Sequence, residues 1–266
     1  MNSKPKKKFG QNFLKSETTL KKIISGSKVQ ITDTVIEIGP GRGALTKHLV
    51  KNAKEVYAFE IDQSLTEYLN PIVSLNSNLE IVFEDILEID LDQFILDKGL
   101  SNVKVIANIP YYITTPIIFK LLETKEVIEA TLLIQKEVAD RLSSGPNSKD
   151  YGAVSVLVQS QAKVEKITQV KRTAFYPAPN VDSTVIKLTK QSFYQTQIED
   201  MDQFRKLVKN SFTQKRKTLL NNLEEPSKLN KTDLLIKLKK IDEKYDQFTR
   251  AEGLSVEDFV KLSNGW

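Results

Sequence analysis

Thr34-Val35-Ile36-Glu37-Ile38-Gly39-Pro40-Gly41-Arg42-Gly43 decides the fold. Its first five residues are a short β-branched run and read as a buried strand. Its last five place three glycines in a sharp turn, and a helical pattern through Leu45 and Leu49 follows. Glycines let a backbone turn tightly and approach a ligand closely. Taken alone, such a turn is weak evidence, because many tight turns hold glycine and bind nothing. Two features raise it. The spacing is G-x-G-x-G, not the G-x-G-x-x-G of pyrophosphate-binding domains. In addition, Glu60 ends the next strand 21 residues after Gly39, where an acidic group can accept hydrogen bonds from both ribose hydroxyls.

The same alternation continues outward. Val56 to Glu60, Leu79 to Phe83, Val103 to Ala107 and Thr131 to Gln135 read as further strands, each followed by a loop or a helix. That pattern predicts an α/β fold with a parallel sheet covered on both faces, a Rossmann-like arrangement. Lys163 to Val170 and Ser183 to Leu188 follow with little helix between them, so a terminal antiparallel hairpin is expected at one edge. Residues 191–200 are polar and read as a linker. Beyond them Phe204, Leu207, Val208, Ser211 and Phe212 fall at helical spacing, as do Leu234, Leu235, Leu238 and Ile241, and a third apolar face runs through Leu254, Phe259 and Leu262. These stripes predict a small C-terminal α-helical domain.

The sheet also predicts where the chemistry sits. In open α/β sheets ligands bind outside the carboxyl ends of the strands, and Glu37, Glu60 and Asp85 all converge there. Three carboxylates would repel a phosphate, so NAD is disfavoured. A cationic, phosphate-free cofactor suits them better, and S-adenosylmethionine is such a molecule. Asn108-Ile109-Pro110-Tyr111 follows the fourth strand at the same edge. An exocyclic adenine amine is a poor nucleophile because its lone pair is delocalised into the ring. The Asn108 side-chain oxygen and a neighbouring backbone carbonyl could hold its N–H groups and favour a more tetrahedral nitrogen. Pro110 limits the freedom of the loop, so the gain is positioning and electrostatics. Tyr111 offers a flat face for an extruded base. As an isolated four-residue match the loop would be an ordinary turn; its place after this strand makes that the weaker reading.

Composition excludes several chemistries. The 266 residues contain no cysteine, so disulfides and thiolate catalysis are absent. His48 is the single histidine, which removes a multi-histidine metal site; no metal is expected, and His48 itself reads as a solvated helix residue. No apolar run reaches the ~18 residues of a membrane span, and the basic N-terminus lacks the apolar stretch of a secretory signal. A cytoplasmic protein is expected. The net charge of +5 is uneven: residues 1–22 carry seven lysines against one glutamate, residues 23–200 are net −5, and residues 201–266 are net +4. A polyanion gripped from both ends would explain this. Charge alone favours the plainer reading, lysines that keep a tail and a helical surface solvated.

Taken in order, several segments resemble the small-subunit ribosomal RNA adenine dimethyltransferase family over almost the full chain. They are Phe9-Gly10-Gln11-Asn12-Phe13-Leu14, the Glu37–Thr46 loop, Phe59-Glu60-Ile61-Asp62, Glu84-Asp85, Asn108 to Pro116 and Gln135 to Arg141. Phe175-x-Pro177-x-Pro179-x-Val181-Asp182-Ser183 and Gln214-Lys215-Arg216-Lys217 complete the set. The resemblance implies that Asn12, Leu14, Gly39, Gly41, Glu60, Asp85 and Asn108 contact S-adenosylmethionine. It implies a catalytic loop of Asn108, Ile109, Pro110 and Tyr111, with Phe175 as a second aromatic wall for the target base. The implied substrate is a pair of adjacent adenosines in a hairpin loop near the 3′ end of small-subunit rRNA, met within an immature 30S-type particle by a monomeric protein. Domain boundaries follow: a basic N-terminal segment (1–22), a cofactor-binding catalytic domain (23–190), a linker (191–200) and a helical RNA-binding domain (201–266). In the last, Lys206, Lys209, Lys215, Arg216 and Lys217 are the expected phosphate contacts. Two other readings remain open here: a large-subunit rRNA adenine methylase of the antibiotic-resistance type, and a non-catalytic ribosome assembly factor.

Overall fold

The computed structural model describes residue 6 and residues 10–266; residues 1–5 and 7–9 of the expected basic segment lie outside the described residues. Among the described residues no helix is long and apolar enough to cross a membrane.

The described chain forms two compact units. The first comprises residues up to Ala139 together with Val164–Lys190. Its strands are β1 (Phe13–Leu14), β2 (Thr34–Ile38), β3 (Glu55–Phe59), β4 (Leu79–Val82), β5 (Val103–Asn108), β6 (Val127–Gln135), β7 (Ala162–Val170), β8 (Phe175–Tyr176) and β9 (Ser183–Lys190). The helices α1 (Glu17–Ser27), α2 (Thr46–Asn52), α3 (Thr66–Leu75), α4 (Leu91–Asp97) and α5 (Thr114–Glu123) come between them. Seven strands make one sheet in the order β4-β3-β2-β5-β6-β9-β7, and β1 pairs with β8 apart from it. β2 lies in the middle, parallel to β3 and β5, with Ile36 opposite both Tyr57 and Val105. A strand covered on both faces must be apolar on both, and Val35, Ile36 and Ile38 are all buried. Toward the far edge β9 runs antiparallel to β6, with β7 outside it. β6 begins four residues before the expected Thr131, at Val127. Glu129 is tolerated there because the Lys187 Nζ on β9 lies 2.8 Å from its carboxylate, a diagonal cross-strand pair.

The second unit contains Asp140–Lys163 and Gln191–Trp266. Helix α6 (Lys136–Ser143) leads into it, followed by α7 (Ala153–Gln159), α8 (Met201–Ser211), α9 (Leu219–Ser227), α10 (Lys231–Ile241) and α11 (Val256–Asn264). The stripes read from the sequence face its core: Phe204, Leu207, Val208, Leu234, Leu238, Leu254, Phe259 and Leu262 are buried.

Two boundaries differ from the sequence reading. Residues 140–163, expected within the catalytic domain, pack with the C-terminal helices. Tyr151 is 1% exposed, its hydroxyl donates to the Leu254 carbonyl at 2.8 Å, and its ring meets Phe212 edge-on at 6.0 Å. An apolar anchor with a satisfied hydroxyl holds the segment there. Residues 191–200 are not a free linker either. The Gln191 N–H donates to the Gln161 carbonyl at 2.9 Å, and the Asn264 side chain donates to the Gln197 carbonyl at 2.6 Å. Polar composition hid these bonds, because they go to backbone groups.

Candidate active site

The turn after β2 is built by its glycines. Gly39, Gly41 and Gly43 have φ of 70°, 60° and 77°, the left-handed region that other residues enter at a cost. Space matters as well at two of them. A Cβ on Gly43 would lie 2.1 Å from Ile72 Cδ1, and one on Gly41 would lie 3.1 Å from a Phe13 ring carbon. The turn is stitched to its neighbour strand by the Gly39 N–H, which donates to the Phe59 carbonyl at 2.9 Å.

Glu60, just past β3, is 5% exposed. Its two oxygens accept from the Gly41 N–H at 3.0 Å and the Asp62 N–H at 2.9 Å. Burial raises its carboxyl above the ordinary value, while these backbone donors pull it down. Glu37, on β2, is 1% exposed. Burial pushes its carboxyl up to about 8, the Thr46 hydroxyl opposes this and the Glu60 charge adds to it. Its Oε2 is buried with no hydrogen-bond partner among the described residues. Asp85 is half-buried beyond β4, and one of its oxygens accepts from the Leu87 N–H at 2.9 Å.

Beyond β5, the Asn108 amide nitrogen donates to the Asn12 carbonyl at 3.2 Å, and among the described residues nothing donates to its Oδ1. The amide therefore keeps its oxygen as a free acceptor. Of the two carbonyls that follow, Pro110's already accepts from the Ile113 N–H at 3.2 Å and the Thr114 hydroxyl at 3.4 Å. That leaves Ile109's carbonyl as the neighbouring acceptor that the sequence could not specify. Tyr111 opens a short turn, Tyr111–Ile113, and its hydroxyl lies 2.7 Å from Ser183 Oγ. Burial raises its phenol above 10.0, so at neutral pH the ring is uncharged and its hydroxyl is a hydrogen-bonding group, not a base.

These elements surround one cleft. Asn12, Gly39, Gly41, Glu60, Asp85, Asn108, Ile109, Pro110 and Tyr111 all line it. An adjoining cavity shares Phe13, Gly39, Gly41 and Asn108 with it and adds Leu14, Glu37, Arg42 and Tyr176. Phe175 lines neither: it is 2% exposed and packs in the core cluster with Leu14, Leu20 and Ile23. Successive strand side chains face opposite ways, so within β8 it is Tyr176, 57% exposed, that meets the cavity. Tyr112, 58% exposed, also lines the cleft. Both tyrosines were missed, although an aromatic beside each motif aromatic was a visible signal. In the second unit Lys206, Lys209, Lys215, Arg216 and Lys217 are all exposed. Lys206 and Lys209 lie on α8, and the other three lie in the turn before α9; the Lys215 ammonium donates to the Lys149 carbonyl.

A mostly parallel sheet with a glycine turn, an acidic cleft and an Asn-Ile-Pro-Tyr loop at its carboxyl edge defines a Rossmann-like methyltransferase. Residues 2–265 match the ribosomal RNA adenine dimethylase family, and the chain belongs to that family. It is 45% identical to the "Ribosomal RNA small subunit methyltransferase A" of Aster yellows witches'-broom phytoplasma (strain AYWB), covering 98% of this chain and 96% of the relative. The crystal structure of a dimethyladenosine transferase from Plasmodium falciparum superposes with a TM-score of 0.80 at 28% identity, over 94% of this chain and 95% of that one. The 23S rRNA methyltransferase ErmE superposes with a TM-score of 0.70 at 24% identity, over 96% and 99% of the two chains, a likeness of fold alone.

Proposed function

We propose that this enzyme transfers methyl groups from S-adenosylmethionine to the N6 amines of two adjacent adenosines in a hairpin loop near the 3′ end of small-subunit rRNA. The substrate would be an immature 30S-type particle in the cytoplasm, and the enzyme would act as a monomer. The observation that carries the reading is the Asn108–Tyr111 loop, whose Asn108 oxygen and Ile109 carbonyl are left as acceptors beside an acidic cleft.

The cleft fits the cofactor by the chemistry of its donor set. Glu60 faces the sugar position of such sheets, and the glycine turn brings the backbone at Gly39 and Gly41 into the cleft wall. Asp85 would accept from the adenine amine, Asn12 would close the cleft from the N-terminal side, and Leu14 would close the adjoining cavity. When bound, S-adenosylmethionine supplies an electrophilic methyl group on a sulfonium. The protein's own part is positioning. Asn108 and Ile109 hold the two amine hydrogens, which turns the nitrogen lone pair out of conjugation. Pro110 holds the loop through its carbonyl, and the uncharged Tyr111 ring gives the extruded base a stacking face. The exposed Lys206, Lys209, Lys215, Arg216 and Lys217 would meet phosphates, which orient an RNA without reading its sequence.

The test is transfer of labelled methyl groups from S-adenosylmethionine to small-subunit particles that lack the modification. Dimethylated adenosine at two adjacent positions is expected. Transfer only to large-subunit RNA would replace the proposed substrate. Tight particle binding without any transfer would make the chain an assembly factor.

A further inference from the structure

The Tyr111 hydroxyl reaches past β6 to the start of β9, where Ser183 Oγ meets it at 2.7 Å. Ser183 is 0% exposed and Tyr111 is half-buried, so the Ser183 end of this bond is closed to water, and the bond supplies the partner that a buried hydroxyl needs. The strand end that carries Ser183 is pinned from two other sides. The Asp182 carbonyl accepts from the Lys136 N–H at 3.0 Å, where β6 passes into α6. The Asp182 carboxylate accepts from the Arg172 N–H at 2.9 Å, in the turn that leads into β8. β8 in turn carries Tyr176 to the adjoining cavity. A ring that only had to stack would need no hydroxyl, and a phenylalanine at 111 would serve. Here the hydroxyl fastens the far end of the ring to a strand end that two hydrogen bonds to Asp182 hold.

We infer that Ser183 is a positioning residue for methyl transfer: it holds the Tyr111 ring in one plane from a strand end that Asp182 fixes, and so sets where the target base lies. The inference rests on the stacking role given to Tyr111 above. A tethered ring loses little freedom when the base arrives, and it holds the amine nitrogen within reach of Asn108 and Ile109. Without the tether the ring rotates about its χ angles, the base is still bound, and fewer bound bases are aligned to react. The loss falls on the rate of the methyl-transfer step and spares cofactor binding.

The experiment uses the full-length protein, S-adenosylmethionine and unmethylated small-subunit particles. Ser183→Ala, Tyr111→Phe, the double variant and Ser183→Thr are compared in single-turnover rate, with cofactor affinity measured by calorimetry. Ser183→Ala and Tyr111→Phe are each expected to slow transfer by about fivefold to tenfold, the worth of one hydrogen bond. The double variant should be no slower than either single one, because both remove the same bond. Ser183→Thr should keep most of the rate, and cofactor affinity should not change in any of them. Multiplying effects in the double variant, a wild-type rate in either single one, or cofactor affinity falling in step with rate would each overturn the inference. If Ser183→Ala does not fold, Tyr111→Phe decides alone by its rate. Should the wild-type protein transfer no methyl groups, the proposed function fails by itself. The tether is then read in the cofactor-free protein from the NMR signals of labelled tyrosine: Ser183→Ala must alter those of the Tyr111 ring, and unchanged signals would overturn it.

Discussion

Glu37→Gln isolates the energetic cost of burying a carboxyl in the wall of the cavity that adjoins the cleft. Glu37 is 1% exposed, and its carboxyl, ordinarily 4.5, is pushed up to about 8 mainly by burial. Below pH 4.5 it is protonated in both the folded and the unfolded chain. As pH rises above that value the unfolded chain releases the proton and the folded chain keeps it. The group's contribution to stability is therefore whole at low pH and is lost as pH rises toward 8, where the folded carboxyl also ionises. Each pH unit in that window costs up to about 1.4 kcal/mol. Across the interval from 4.5 to about 8 the ceiling is on the order of 5 kcal/mol. Glutamine keeps the shape and cannot titrate. Any penalty from its buried amide is the same at every pH and drops out of the comparison. Urea denaturation of the cofactor-free proteins at pH 5, 6, 7 and 8 should show wild type losing several kcal/mol relative to the variant as pH rises. Carboxyl groups away from Glu37 titrate alike in both proteins and cancel, and Glu60, whose charge adds to the Glu37 shift, is counted within the difference. A wild-type-minus-variant difference that stays flat over this range would refute the burial argument.

Glu60→Ala removes the acceptor of the Gly41 and Asp62 N–H groups and, in the proposed cofactor site, of the ribose hydroxyls, so cofactor binding should weaken by about 1–3 kcal/mol. Calorimetry with unaltered affinity would end the assignment, and particle binding should hardly move. Asn108→Ala should abolish nearly all single-turnover transfer while particles still bind, because the side chain acts in the transition state; a near-wild-type rate excludes the positioning mechanism. Changing Lys215, Arg216 and Lys217 together to alanine should weaken particle binding and flatten its dependence on salt. Each lost phosphate contact should reduce the log–log slope by roughly 0.7–0.9, and a wild-type slope would mean that this turn does not touch RNA. Gly43→Ala meets a left-handed backbone and the Ile72 side chain at 2.1 Å. The two penalties, about 1–2 and about 1–3 kcal/mol, should lower the Tm clearly, and a wild-type melt would contradict the packing.

The sheet could be read from the sequence because its strands carry one strong signal each. Thr34–Ile38 and Val103–Asn108 are β-branched runs that only a strand covered on both faces would bury. The cleft was readable for a related reason: the strand order brings Gly39, Glu60, Asp85 and Asn108 to one edge whatever the loops do. What escaped depends on single bonds over long sequence distances. β1 and β8 are two residues each, too short to show a period, yet their pairing turns Phe175 into the core and Tyr176 outward. The Ser183–Tyr111 bond joins residues 72 apart, and nothing local announces it. Glu60 was expected as an open acceptor; it also braces the glycine turn through the Gly41 N–H, a second duty that motif spacing does not show.

The passage of Asp140–Lys163 into the helical unit and back has a consequence for how the protein can be divided. A chain stopped at Lys190 would not be a catalytic domain freed of an appendage. It would retain Tyr151 without the Leu254 carbonyl and the Phe212 ring that bury it, and would expose α7 along what had been its inner face. The helical part is woven from two separate stretches of chain, so it is not a detachable module that a gene could gain or lose by one fusion. Any exchange of this part between relatives would have to carry the internal excursion along with the C-terminus. Function lost on simple truncation would therefore report a broken fold, and would say nothing about which unit grips RNA.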